Sequence, residues 1–284
     1  MKEKIAVVVD SGSDIDLQLQ KQYNIFSLPL RITIEDKEYI DGVDITREEL
    51  FAQIDAENIS TSLPSGEDIL KTFENLKKEG YTHVIAVTIS SGLSGTHNVI
   101  QNLTQEIDGL ETFVLDTKNI SLASGYLAIE ASKMIEEGQT FETIKNTLQN
   151  SLKRSKVFFT VGTLDYLIKG GRIGLVAGTV ANALNIKPTI SCNDDGIYYT
   201  VSKTRGYKRV IKRMIKEAAE FLSDSKDYTV TIVNANTQED LDAIKLMAKQ
   251  QFEYAKKINV SNITPALAIH TGPEALGIAV YKHD

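Results

Sequence analysis

Hydroxyl side chains and glycines are concentrated in two short segments that each follow an apolar run. Asp10-Ser11-Gly12-Ser13-Asp14 is the first, and Ser90-Ser91-Gly92-Leu93-Ser94-Gly95-Thr96 is the second. The free amides at a helix N-terminus carry partial positive charge, and with neighbouring hydroxyls they suit a carboxylate or a phosphate. A tight turn with a serine cap explains the same residues, so composition leaves both interpretations open.

Two further segments could carry chemistry. Thr61-Ser62-Leu63-Pro64-Ser65 is dense in hydroxyls beside a rigid proline, although a simple helix entry would have the same composition. His270 ends a short apolar helix, where a capping or core role is equally open. Ser94 with His270 as its base would form a hydrolase pair, but Gly92-Leu93-Ser94-Gly95 lacks the second glycine of a nucleophile elbow at the required offset.

The composition excludes several classes of protein. A net charge of -7 over 284 residues disfavours general binding to nucleic acids, which requires basic patches. The single cysteine, Cys192, cannot form an intrachain disulfide and is consistent with a reducing compartment. Four histidines without metal-ligand spacing predict no metal site. The apolar run at 5–9 is far too short for a membrane span, so we expect a soluble, cytoplasmic protein.

Strands and helices alternate in the first half of the chain. This alternation predicts a mostly parallel, Rossmann-like sheet with flanking helices, and places segments 10–14 and 90–96 at the carboxyl ends of strands, where ligands bind. One continuous strand is expected over 27–34, a helix from Thr46 to about Ala56, and an irregular break at 60–65.

The second half mixes hairpin strands with helices. Asn193-Asp194-Asp195-Gly196 is a strong hairpin signal, and Thr264-Pro265 predicts a helix that ends near Gly272. We therefore expect an α/β domain over 1–157, a C-terminal α+β domain over 158–284, and a ligand between them.

Basic residues mark two loops and one helix of the second half. Arg172 lies in a glycine-rich loop, Arg205 lies in Lys203-Thr204-Arg205-Gly206, and the helix predicted over 206–222 is basic along much of its length. A solvated helix face and a docking patch for an anionic partner or phosphate are both compatible with this pattern.

Six segments, taken in their order along the whole chain, resemble the DegV family of bacterial fatty-acid-binding proteins. Each segment alone has low specificity, whereas their joint order is highly specific. The segments are Asp10-Ser11-Gly12-Ser13-Asp14, Thr61-Ser62-Leu63-Pro64, Ser90 to Thr96, Leu167-Ile168-Lys169-Gly170-Gly171-Arg172-Ile173, Lys203-Thr204-Arg205 and His270-Thr271-Gly272.

The resemblance implies a fatty acid buried between two α/β domains, with its carboxylate near Thr61, Ser94 and His270. It also implies that Arg172 and Arg205 meet a separate fatty acid kinase, which phosphorylates the bound carboxylate to an acyl phosphate. Some relatives carry a small or polar residue where this chain has Pro273, so the resemblance does not fix the shape of the His270 loop. The ligand-binding residues expected on this basis are Thr61, Ser62, Ser91, Gly92, Ser94, Gly95, His270, Thr271 and Gly272.

We therefore expect a monomeric lipid carrier without catalysis of its own, whose bound fatty acid takes the place of a cofactor. A transient contact with a membrane is compatible with this function. Two alternatives remain at this point. One is a hydrolase or acyltransferase that uses Ser94 and His270, and the other is a nucleotide-binding regulator that uses the loop at 10–14.

Overall fold

The structure is a computed structural model that describes residues 3–105, 107–179, 185–237 and 241–284. The strands are β1 Ile5–Asp10, β2 Ile25–Leu28, β3 Arg31–Ile34, β4 Lys37–Ile40, β5 Ile59–Ser62, β6 His83–Thr88, β7 Glu111–Asp116, β8 Ser155–Thr160, β9 Ile186–Cys192, β10 Tyr198–Arg205, β11 Tyr228–Asn234, β12 Ile258–Asn262 and β13 Leu276–Lys282. The α-helices are α1 Leu17–Tyr23, α2 Arg47–Phe51, α3 Gly66–Lys78, α4 Thr96–Thr104, α5 Leu122–Glu136, α6 Phe141–Ser151, α7 Asp165–Lys169, α8 Tyr207–Phe221, α9 Leu241–Gln251 and α10 Pro265–Thr271.

The first half of the chain forms the parallel sheet that its alternation predicts. Four parallel strands have the order β2-β1-β6-β7. All six residues of β1 are buried, because helices cover both faces of such a sheet. Segments 10–14 and 90–96 follow the neighbouring strands β1 and β6, so they meet at one edge, as expected.

The second half forms a mixed six-stranded sheet with the order β10-β9-β8-β13-β11-β12. The hairpin signal at 193–196 joins the antiparallel strands β9 and β10, which confirms that prediction. The fold class expected from the sequence is therefore confirmed. The domain boundary near residue 157 stays a prediction, and this residue lies within β8.

Three local predictions were wrong. The single strand expected over 27–34 is two strands in different sheets, because Pro29 interrupts the run between β2 and β3. The helix that Thr46 caps ends at Phe51 and not near Ala56. Residues 59–62, expected to be mostly irregular, form β5, which pairs with β3 in a small antiparallel sheet of order β4-β3-β5.

Helix α10 has the bounds that its sequence indicates. Thr264 is the N-cap residue, Pro265 occupies the first helical position, and Gly272 ends the helix with a φ of 76°. Six of the seven helical residues are buried, so α10 packs inside the molecule. No helix among the described residues is long and apolar enough to cross a membrane.

Candidate functional site

Thr61 and His270 meet although 209 residues separate them in the sequence. Thr61 lies on β5 opposite Ile32 of β3, and His270 lies in the last turn of α10. The Thr61 Oγ1 and His270 Nε2 atoms are 2.7 Å apart, which is a hydrogen-bond distance. Two residues expected in one site from the family resemblance are thus brought into direct contact.

The His270 imidazole is electrically neutral at pH 7. Burial, with a smaller contribution from the nearby positive charge of Arg172, lowers its pKa to about 4. Its Nδ1 is buried and has no hydrogen-bond partner in the part of the chain that the structure describes, so we assign the proton to Nε2, which donates to Thr61 Oγ1. The Thr61 hydroxyl hydrogen then remains available for a ligand oxygen.

Ser94 lies just before α4. Its Oγ is 2.9 Å from Thr96 Oγ1 and accepts a hydrogen bond from the Thr96 amide at 3.3 Å. Among the described side chains, no hydrogen bond joins Ser94 to His270, whose Nε2 is engaged by Thr61. The pairing that a serine hydrolase requires between nucleophile and base is therefore not formed.

A cavity connects these side chains, and we call it the hydroxyl cavity. Its empty volume is ≈ 530 Å³, which includes its open mouth. Its donors are uncharged hydroxyls and one imidazole, with a single cation. It is lined by Leu30, Thr61, Ser62, Leu63, Ile89, Leu93, Ser94, Ile120, Arg172, Tyr198, Ala266, Leu267, His270 and Thr271.

A second cavity, which we call the apolar cavity, adjoins the first and has an empty volume of ≈ 380 Å³ that includes space open to solvent. It lies between the start of α5 and the second sheet, and nearly all of its surface is hydrocarbon. Four residues, namely Ile120, Tyr198, Leu267 and Thr271, line both cavities. The remaining lining residues are Ser121, Val157, Phe159, Val233, Ile263, Ala275, Leu276 and Gly277.

Three residues predicted to bind the ligand from segment 90–96 lie outside the lining of the hydroxyl cavity. The Ser91 hydroxyl accepts a hydrogen bond from Lys118 Nζ at 3.1 Å. Gly92 packs against the β9–β10 hairpin, where an added Cβ would lie 2.9 Å from the Gly196 carbonyl oxygen. Gly95 is the N-cap residue of α4. The places of these residues suit them to shaping the loop that presents Ser94.

The two predicted arginines occupy different positions. Arg172 lines the hydroxyl cavity and donates to the carbonyl oxygens of Gly170 and Leu93, at 2.7 and 3.3 Å. It therefore ties the loop containing Ser94 to the loop beneath His270. Arg205 is exposed at the end of β10 and lines neither cavity.

Two glycines fix the surroundings of His270. A Cβ on Gly170 would lie 2.1 Å from His270 Nδ1, so the imidazole occupies the space that a side chain would need. Gly272, a predicted ligand residue that lies outside both linings, instead faces the Tyr166 ring, 2.4 Å from where its Cβ would be. The φ of Gly170 is an ordinary -77°, so packing against His270 is the reason that this position requires glycine.

We expect Gly170→Ala to displace the His270 ring and to lower ligand affinity by about tenfold, since one hydrogen bond to a charged group is lost. The control is Gly178→Ala, because the added methyl group there meets no atom of the described residues within 4 Å beyond its chain neighbours. Titration of both variants with the fatty acid that the family resemblance implies checks this prediction. Equal affinities in the two variants would show that the His270 position does not matter.

The residues of the loop at 10–14 are buried, and its two carboxyl groups would repel a phosphate, so the structure does not favour the nucleotide-binding interpretation of the sequence. Asp10, Ser13 and Asp14 are each at most 2% exposed, and Asp41 lies close to them. Burial raises the pKa of Asp10 and of Asp14 to about 7 and that of Asp41 to about 6. We call Asp10, Asp14 and Asp41 the carboxylate cluster.

The carboxylate cluster predicts a pH dependence of stability. Because the pKa of Asp10 rises from 3.8 to about 7 on folding, the native state holds a proton that the unfolded chain releases in this range. Its contribution to the free energy of unfolding therefore falls as the pH rises from 4 to 7. Asp10→Asn removes this titration, so we expect the variant to gain stability relative to the unaltered protein as the pH rises.

Denaturant unfolding of both proteins from pH 4 to pH 8 checks this difference. Asp16→Asn is the control, since Asp16 is an exposed helix cap in which no such burial occurs. A stability difference for Asp10→Asn that stays constant with pH would contradict the prediction.

The sequence did not identify several residues of this site. Tyr198, Leu267 and Ile120 line both cavities, but buried residues of a strand, a helix and a loop give no sign in the sequence that a void lies beside them. Asp41 likewise carries no local signal in the sequence. Its partner, Ala266, is 225 residues away, so no local pattern could reveal their contact.

The chain is similar to known proteins over nearly its whole length. Residues 4–283 match the family model described as "Uncharacterised protein, DegV family". A DegV domain-containing protein of Clostridium acetobutylicum is 40% identical over 280 residues, which cover 99% of each chain. A second one from Staphylococcus aureus is 35% identical over 98% of this chain and 99% of its own length.

Solved structures agree along the whole chain. A fatty-acid-binding DegV protein of Thermus thermophilus has a TM-score of 0.91 at 27% identity, over 98% of this chain and 99% of its own. A stearic acid-binding protein of Eubacterium ventriosum has a TM-score of 0.88 at 27% identity, over 98% of each chain.

Proposed function

The chain belongs to the DegV family, and from this premise we propose that it binds one long-chain fatty acid in its two adjoining cavities. The carboxylate lies in the hydroxyl cavity, and the acyl tail passes Tyr198 and Leu267 into the apolar cavity. The protein presents the carboxylate to a separate fatty acid kinase and performs no catalysis itself.

One observation carries this proposal: uncharged donors open directly into a hydrocarbon-lined cavity. Thr61 and Ser94 offer hydroxyl groups, the first of them oriented by His270, while the lining of the apolar cavity exposes almost no polar atoms. Only an amphipathic ligand satisfies both cavities. A carboxylate without hydrogen bonds would be costly to bury, and the donors remove that cost.

The tail supplies most of the affinity. Each buried methylene contributes about 0.8 kcal/mol, so a sixteen-carbon acid with about fifteen such carbons gains about 12 kcal/mol before the loss of ligand freedom is subtracted. The head group therefore needs only to be oriented and hydrogen-bonded. This fits a site in which Arg172 is the single cation among the described lining residues.

Neutral donors also suit phosphoryl transfer. A carboxylate held by hydroxyls beside a neutral imidazole keeps its charge and its nucleophilicity. A carboxylate oxygen attacks the γ-phosphorus of ATP in the kinase, the bond to ADP breaks, and an acyl phosphate forms. Arg172, at the edge of the hydroxyl cavity, would stabilise the negative charge of the transferred group.

Titration of lipid-free protein with palmitate tests the proposal, with hexadecanol as the control ligand. The two share a tail, but only palmitate carries the charged group that the hydroxyl cavity receives. We expect one palmitate per chain and weaker binding of hexadecanol. Equal binding of both ligands would exclude the assignment of the hydroxyl cavity, and binding of neither would exclude the function.

Arg205→Ala should separate ligand binding from presentation. Arg205 is exposed and lines neither cavity, so palmitate affinity should not change. If Arg205 contacts the kinase, acyl phosphate formation with kinase and ATP should fall by about tenfold, as for a lost charged contact. Lys71→Ala, an exposed cation on α3, is the control. Equal kinase rates for the two variants would remove Arg205 from the interface.

A further inference from the structure

Helix α10 cannot cap its own N-terminus. The N-cap residue, Thr264, makes no side-chain hydrogen bond to the helix amides, and Pro265 at the first helical position has no N–H. The first amides of a helix need acceptors when they are buried. In this protein the acceptors come from a distant part of the chain.

Two members of the carboxylate cluster supply these acceptors. Asp41 Oδ1 accepts the hydrogen bond of the Ala266 amide at 2.9 Å, and Asp14 Oδ1 accepts that of the Thr264 amide at 2.8 Å. Both carboxylates belong to the first half of the chain, whereas α10 belongs to the second. These carboxyl oxygens also lie at the positive end of the helix.

The second oxygen of each carboxylate is held as well. The Ser11 hydroxyl donates to Asp41 Oδ2 and also accepts from the amide of Leu30, a lining residue of the hydroxyl cavity. The Ser121 hydroxyl donates to Asp14 Oδ2. The carboxylates are therefore fixed on both sides and can hold α10 in one position.

We propose that Asp14 and Asp41 are positioning residues for the fatty acid site, acting through the N-terminus of α10 to place His270 against Thr61. This inference rests on the proposed function. His270 lies at the other end of the same seven-residue helix, so a shift or rotation of α10 moves the imidazole away from Thr61 Oγ1. Through Asp14, the segment at 10–14 therefore holds the N-terminus of this helix and does not act as a phosphate loop. We call Asp14 and Asp41 together the clasp on α10.

The test compares Asp41→Ala with Asp41→Asn and Asp16→Ala. Asparagine keeps an oxygen that can accept from the Ala266 amide, so it should restore what alanine loses. Asp16 caps α1 by accepting from the Leu19 amide at 2.8 Å, so Asp16→Ala removes a comparable cap that has no link to α10.

Two measurements apply to each variant. The first is the NMR signal of the His270 Nε2–H in ligand-free protein, assigned with His270→Ala, and the second is palmitate affinity. For Asp41→Ala we expect loss of the imidazole signal and about tenfold weaker binding, as for one lost charge-assisted hydrogen bond. Asp41→Asn should stay within about threefold of the unaltered protein, since the acceptor is kept, and Asp16→Ala should show neither change.

An unchanged signal and affinity in folded Asp41→Ala would overturn the proposal, as would equal losses in Asp16→Ala. If Asp41→Ala does not fold, Asp14→Ala tests the same clasp through the Thr264 amide with the same criteria. The imidazole signal is read without ligand. Failure of the unaltered protein to bind palmitate would therefore contradict the proposed function. The imidazole signal would still decide whether Asp14 and Asp41 position His270.

Discussion

His270→Ala should lower palmitate affinity by about 10- to 100-fold, which corresponds to a lost hydrogen bond to a charged group. In the unaltered protein the Nε2–H donates to Thr61 Oγ1, which directs the threonine hydroxyl hydrogen toward the ligand. Alanine removes this constraint and leaves a void beside the carboxylate. Titration of the lipid-free variant with palmitate measures the loss.

His83→Ala is the matched control, since His83 is a part-buried histidine on β6 that hydrogen-bonds Thr82 and lines neither cavity. Its palmitate affinity should equal that of the unaltered protein. Equal affinities for the two histidine variants would mean that the carboxylate lies elsewhere.

Val233→Phe should reduce the binding of long acids far more than that of short ones. Val233 is 3% exposed and lines the apolar cavity, so the larger ring occupies space that the acyl tail needs. Excluding about four methylenes at about 0.8 kcal/mol each would weaken binding by about 200-fold. Titrations with palmitate and with octanoate measure the two losses.

Octanoate is the internal control, because a tail of half the length should not reach the substituted position. Val260→Phe provides a second control, since Val260 is an exposed valine on β12. A loss of the same size for both acids would indicate general damage to the fold, and no loss for palmitate would place the tail outside the apolar cavity.

The parallel sheet could be predicted because its signals are local. The β-branched run of β1 predicts the strand, and the polar turn after it predicts where the strand ends. The two failures have different causes. The break at Pro29 separates two strands that read as one, and β5 is a four-residue strand whose pairing with β3 depends on distant residues.

The site could be predicted only in part. Thr61, Ser94 and His270 were expected together through the family resemblance, and the structure places all three in the lining of one cavity. Chain spacing alone could not bring Thr61 within 2.7 Å of His270. The clasp on α10 was not foreseen either, because a buried carboxylate and a turn aspartate look alike in a sequence.

Mass spectrometry of the protein as purified from cells tests the central claim most directly. Under native conditions the account predicts an added mass of one fatty acid per chain, which is lost on denaturation and is recovered as the free acid. An acyl group that stays attached to Ser94 after denaturation would contradict the account, as would a chain that carries no lipid and takes up none when palmitate is supplied.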